Sequence, residues 1–78
     1  MTLKKGDIIR ETRTNADEMF KNTCANSVLE YQVVRVNPKT YTLKCVNGYM
    51  KGSGCFLRKC FKETTVDVYG TKTEWQLV

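Results

Sequence analysis

One stretch, residues 31–46 (YQVVRVNPKTYTLKCV), constrains this chain more than any other. Two runs rich in β-branched and aromatic residues flank Asn37-Pro38-Lys39-Thr40. These four residues suit a type I turn, with asparagine at the first position and proline at the second, where its fixed φ fits. The simplest hairpin register sets Val36 opposite Tyr41, Val34 opposite Leu43 and Gln32 opposite Cys45. Val34, Val36, Tyr41, Leu43 and Cys45 then share the core face, and Arg35, Thr42 and Lys44 lie on the other. Tyr31, Val33 and Val46 also fall on that second face. A strand apolar on both sides at its ends suits a curved sheet or a closed barrel.

Strand signals dominate the flanks as well. Leu3, Ile8 and Ile9 surround a Gly6-Asp7 turn signal and lead into an extended segment. The polar stretch 12–27 reads as a loop over one end of a barrel, or as one helical turn at Asp17, Glu18, Met19 and Phe20. Asn47-Gly48 marks a tight turn, Tyr49-Met50-Lys51 a short returning strand, and Gly52-Ser53-Gly54 a flexible loop. In CFLRKCF (residues 55–61) the apolar residues Phe56, Leu57, Cys60 and Phe61 recur at offsets of three and four. This spacing predicts a short helical turn with Arg58, Lys59 and Lys62 outward. A closing hairpin turns at Tyr69-Gly70-Thr71-Lys72, setting Val66 opposite Trp75 and Thr64 opposite Leu77, with Trp75 in the core.

Seventy-eight residues make one domain with one modest core, worth about 3–5 kcal/mol of net stability. With 41% apolar and 27% charged residues, the chain has the composition of a folded protein. The order KKGDII, then YQVVRVNPKTYTL, a short turn and a closing strand ending in WQLV resembles small SH3-like barrel proteins. The opening and the hairpin are similar to short proteins of phages and mobile elements. The resemblance covers about two thirds of the chain and leaves out residues 12–27 and 55–60. The expected fold is therefore mostly β: a small SH3-like β-barrel of five to six antiparallel strands with one short helical turn, formed by residues 1–78 as a single domain. No apolar run approaches the roughly 18 residues of a membrane span. The first ten residues lack the apolar core of a secretory signal. These features point to the cytoplasm of a host cell.

Charge is unevenly placed. Residues 1–30 are neutral, residues 31–62 carry +7 and residues 63–78 carry −2, which together give the net +5. The middle segment holds Arg35, Lys39, Lys44, Lys51, Arg58, Lys59 and Lys62 and no acid. A field concentrated in this way speeds and orients the approach of a polyanion. Tyr31, Tyr49 and Phe56 are interleaved with the cations; exposed aromatics stack on unpaired bases. Amides of the glycine loop suit a phosphate. The plainer reading is that the cations keep a small barrel soluble and its edges unpaired.

Chemistry is sparse. The chain has no histidine, so the usual general base and the Ser/Cys–His pairings are missing. Cys60, beside Lys59, is the one candidate nucleophile, and it has no partner base. Gly52-x-Gly54 lacks the third glycine of a dinucleotide fingerprint, and no P-loop follows Gly48. The cysteines Cys24, Cys45, Cys55 and Cys60 include no C-x-x-C pair. Their spacing favours free thiols packed as small hydrophobes over disulfides, and disulfides over a zinc site.

The expectation is a non-enzymatic phage or mobile-element protein without a cofactor or metal, monomeric or homodimeric. Its basic face would engage nucleic acid or a host complex that handles it, in the manner of an anti-defence protein such as a CRISPR inhibitor. Its binding residues would be Arg35, Lys39, Lys44, Lys51, Arg58, Lys59 and Lys62, with Tyr31 and Tyr49. The alternative is a protein–protein module or homodimer in which Tyr31, Val33 and Val46 carry the energy and the charge is incidental.

Overall fold

A computed structural model describes residues 1–15, 27–68 and 70–78. Six antiparallel strands form one sheet: β1 (Ile8–Asn15), β2 (Ser27–Val36), β3 (Thr40–Asn47), β4 (Gly54–Arg58), β5 (Thr64–Val66) and β6 (Thr71–Leu77). Their order is β4-β3-β2-β1-β6-β5. The expectation of five to six antiparallel strands and a mostly β chain holds. The described residues include no helix, and the helical turn considered at residues 17–20 lies outside them.

The strands adjacent in sequence, β4 and β5, sit at opposite edges of the sheet. Only residues 59–63 join them. A flat sheet of six strands would separate its edges by about 24 Å, whereas the six Cα steps from Arg58 to Thr64 reach roughly 20 Å. The sheet therefore curls. Phe61, midway along the connection, packs against Trp75 of β6 with ring centroids 6.0 Å apart. Trp75 in turn meets Tyr31 of β2 at 5.9 Å.

The concave face holds the core: Leu3, Ile9, Leu29, Tyr31, Val33, Tyr41, Leu43 and Cys45 are buried, with Leu57, Phe61 and Trp75 packed against them. The N-terminal segment closes one end. The Leu3 amide donates to Tyr41 Oη at 3.2 Å, and the amides of Gly6 and Val33 donate to the carbonyls of Val33 and Asp7. Glu11 is the one buried charged residue described. Its Oε1 accepts no hydrogen bond, and Arg13 Nε offsets its charge from 3.1 Å.

Sequence expectations are overturned in three regions. Val36 does face Tyr41, but a bulge between Val33 and Arg35 then brings Val33 opposite Leu43 and Tyr31 opposite Cys45. The bulge resolves a conflict of parity. The unbroken register would bury the amide of Gln32 beside Cys45, at the cost of an unsatisfied polar group. With one extra residue at Val34, the alternating Leu29, Tyr31 and Val33 turn inward, and Val34 and Val36 become exposed.

Second, residues 55–58 are not helical. They belong to β4, with Cys55 opposite Leu43, Phe56 opposite Thr42 and Leu57 opposite Tyr41. Backbone pairing along β3 outweighs a helical spacing of four side chains. The turn comes afterwards, at Lys59 and Cys60. Tyr49, Met50 and Lys51 form part of the β3–β4 turn rather than a strand. Within it Lys51 donates to the Gly48 carbonyl, Gly52 to Cys45 and Ser53 to Met50.

Third, the last hairpin pairs Thr64 with Glu74, Thr65 with Thr73 and Val66 with Lys72. Asp67 sets this register: its Oδ1 accepts from the Thr71 amide at 3.0 Å, and its carbonyl accepts from Gly70. Trp75 still packs on the core, because its neighbour across the sheet is Glu11 of β1, whereas Val66 is exposed.

Candidate functional site

Side chains alternate across a strand, so the register that buries Tyr41, Leu43 and Cys45 turns their neighbours outward. On β3 these are Thr40, Thr42 and Lys44; on β4 they are Gly54, Phe56 and Arg58; on β2 they are Gln32 and Arg35. Arg35 lies opposite Thr42, and Thr42 lies opposite Phe56. Lys44 sits between Gln32 and Gly54, and Arg58 is opposite Thr40. Three cations thus share the convex face with an exposed aromatic ring. Phe56 is 72% exposed.

The two turns extend the basic strip at its ends. Lys39, in the β2–β3 turn, is exposed, and its carbonyl accepts from the Lys59 amide at 3.0 Å. Lys51 and Tyr49, both exposed, stand in the β3–β4 turn at the far end. Between the turns β3 runs eight residues, or about 26 Å. Lys59 lies 5.6 Å above the Tyr41 ring, a cation–π contact that commits it to covering the core. Lys62 is exposed in the β4–β5 connection. Tyr31, expected at the interface, is a core residue, and burial pushes its hydroxyl pKa up to about 12.

Among the described residues, no carboxylate pairs with Arg35, Lys39, Lys44, Lys51, Arg58, Lys59 or Lys62. The rest of the convex face is different. There Arg10 pairs with Glu30 at 3.2 Å and Lys72 with Glu74 at 3.2 Å. The Asn47 amide also donates to Glu30 at 2.9 Å, which with Arg10 holds the Glu30 carboxyl below its usual range. The unpaired field therefore ends at β2.

Of the aromatics interleaved with the cations in the sequence, Phe56 and Tyr49 are exposed and Tyr31 is not. The sequence reading misses the strand that carries Phe56, which it draws into a helical spacing with Leu57, Cys60 and Phe61, and it takes Gly54 as loop. The alternation Cys55/Leu57 against Phe56/Arg58 is the signal that would have found both. The glycine-loop amides expected to meet a phosphate are occupied instead, since Gly52 and Ser53 donate within the turn.

Among the described residues the thiols make no centre of their own; Cys24 lies outside them. Cys45, Cys55 and Cys60 are free. Cys45 is packed in the core, whereas Cys55 and Cys60 are exposed rather than packed as small hydrophobes. Burial, followed by the charge of Glu11, raises the Cys55 thiol pKa. No group of three or more metal-ligating side chains occurs among the described residues. No helix among them is long and apolar enough to cross a membrane.

Comparison with protein-family models, curated proteins and solved structures returned no match.

Proposed function

We propose that this chain is a non-enzymatic nucleic-acid-binding protein that meets the phosphate backbone with the convex face of β2, β3 and β4. One observation carries the reading: Arg35, Lys44 and Arg58 share a face on which no described carboxylate pairs with them. Surface cations on a merely soluble protein are interspersed with acids, as on the β1–β6 half of this sheet. Lys39, Lys51 and Lys62 extend the field without constraining its register. The resemblance to short phage proteins supplies a setting, an accessory or anti-defence protein acting on a host complex that handles nucleic acid.

The protein–protein alternative loses two of its three residues, because Val33 is fully buried and Tyr31 nearly so, and keeps only Val46 partly exposed. It becomes an outcome of the test. Binding to labelled single-stranded and duplex oligonucleotides is measured at several salt concentrations for the native chain and for Arg35→Glu/Lys44→Glu. With about four phosphate contacts, log K falls with log salt at a slope of about −3 to −4. The double variant lowers affinity and flattens that slope by about two. Binding unchanged in the variant, or absent even at low salt, sinks the reading and leaves the basic face to a protein partner.

A further inference from the structure

Gly54 stands at the start of β4, and the fold does not require a glycine there. Its φ is not among the positive values found at Gly6, Gly48, Gly52 and Gly70. A Cβ added to it would meet only the Leu43 carbonyl oxygen, at an ordinary contact distance of 3.6 Å. Gly48 shows the opposite case: a Cβ there would come within 2.5 Å of Leu29 Cδ2. In a strand, glycine forgoes packing and costs conformational entropy. It therefore marks a bulge, a bend or a place where a ligand approaches the backbone. The β3–β4 register runs without a shift from Thr40–Arg58 to Lys44–Gly54; the bulge in which Gly52 and Ser53 both oppose Cys45 lies before it and uses Gly52, not Gly54, as its positive-φ glycine.

The missing side chain would have stood on the convex face, opposite Lys44 and next to Phe56 along the strand. Its absence leaves bare backbone beside an exposed phenyl ring. The i to i+2 spacing makes that floor about 6.6 Å long. Arg58 flanks the ring on the other side, and Arg35 lies beyond Thr42.

Resting on the reading of this face as a nucleic-acid surface, we propose that Phe56 and Gly54 form a stacking floor for one unpaired base, and that the ligand is single-stranded nucleic acid. The phenyl ring offers its π-face to any base, and the glycine admits the base edge against the backbone. Arg35, Lys44 and Arg58 meet the flanking phosphates. A duplex keeps both faces of each internal base covered by its neighbours and gains only the phosphate contacts.

The test uses the full chain and fluorescently labelled DNA and RNA oligonucleotides of about ten nucleotides, a length in the range one small barrel binds. Each is offered as a single strand and as a duplex, and anisotropy gives the Kd. Phe56→Ala and Phe56→Leu each weaken single-strand binding roughly 5- to 150-fold, the effect of one lost base stack. The leucine keeps an apolar side chain and loses only the ring. Gly54→Val leaves the melting temperature unchanged or raised, because valine suits a strand, yet weakens single-strand binding at least about fivefold. None of the three changes duplex binding. Single-strand binding at native strength in Phe56→Ala and Gly54→Val, with Arg35→Glu/Lys44→Glu impaired, overturns the stacking floor and leaves the basic face standing. Native binding in Arg35→Glu/Lys44→Glu overturns both.

Discussion

The convex face of this sheet has two halves built from the same kinds of residue and arranged to opposite ends. Across β1 and β6, Arg10 and Lys72 each sit against a carboxylate at 3.2 Å. Across β2, β3 and β4, Arg35, Lys44 and Arg58 share their face with threonine, glutamine, glycine and phenylalanine. A paired cation has most of its field cancelled within a few ångströms, whereas an unpaired row adds its fields and projects them about a Debye length into solvent. Net charge alone hides this distinction, and strand register reveals it. The concave side divides along the same line. Most of the fully buried side chains come from β2 and β3, while the end of β6 leaves Leu77, opposite Ile9, half exposed. The half that anchors the fold is also the half that presents the cations, so its outer side chains are held on a rigid platform.

The sharpest break of this comparison is in the core. Leu43→Ala removes a fully buried side chain and should cost about 2–5 kcal/mol. Leu77→Ala, at a half-exposed site, should cost less than about 1 kcal/mol. Chemical denaturation of both variants checks the asymmetry, and equal losses would end it.

Next comes the β3–β4 turn, which holds the platform's far end. Gly48 has φ +114°, and an added Cβ would strike Leu29. Gly48→Ala should therefore destabilise by more than about 1 kcal/mol, through positive-φ strain and the clash together. Gly52→Ala meets nothing within 4 Å and pays only the strain of its φ of +95°, about 1 kcal/mol. Thermal melts of the two should rank in that order.

Alkaline pH offers a further handle on the β2 side. The Tyr31 hydroxyl ionises at about 12, against an ordinary 10.0. The folded state thus holds this proton more tightly than the unfolded state. The resulting stability is complete below pH 10 and is lost as pH rises through 12. Stability of the native chain should fall more steeply over that window than that of Tyr31→Phe, and parallel curves would remove Tyr31 from the account. The smallest effect belongs to the paired half. Lys72→Ala breaks an exposed ion pair and should change stability by no more than about 0.5 kcal/mol.

Much of the architecture was legible in the sequence. The turn residues Asn37-Pro38 and Gly6-Asp7 fall where chain reversals occur, and the charge counts by segment point to the surface that carries unpaired cations. Local pairing rules also placed Arg35, Thr42 and Lys44 together. What failed was parity. A hairpin read outward from its turn assigns Val34 and Val36 to the core, while a strand read from Leu29 assigns Tyr31 and Val33. Both patterns are present, and only a bulge reconciles them. The same blindness hid the strand that carries Phe56, because five residues can satisfy a helical and a strand period at once. Their partner strand decides between the two. The pairing of β1 with β6 brings together residues from Asn15 and Thr71 out to Ile9 and Leu77, distant in the chain, and no local pattern encodes it.

The measurement that bears most directly on the central claim compares two substitutions of equal charge. Lys44→Glu and Lys72→Glu each lower the net charge of +5 by two units, one in the unpaired half and the other in the paired half. Single-strand affinity is read by anisotropy in about 0.1 M salt. The account predicts that Lys44→Glu loses at least about five- to tenfold, the worth of one phosphate contact at that salt, and that Lys72→Glu stays near the native value. Equal losses in the two variants would mean that only total charge matters, and would contradict a binding face built by the register of β2, β3 and β4.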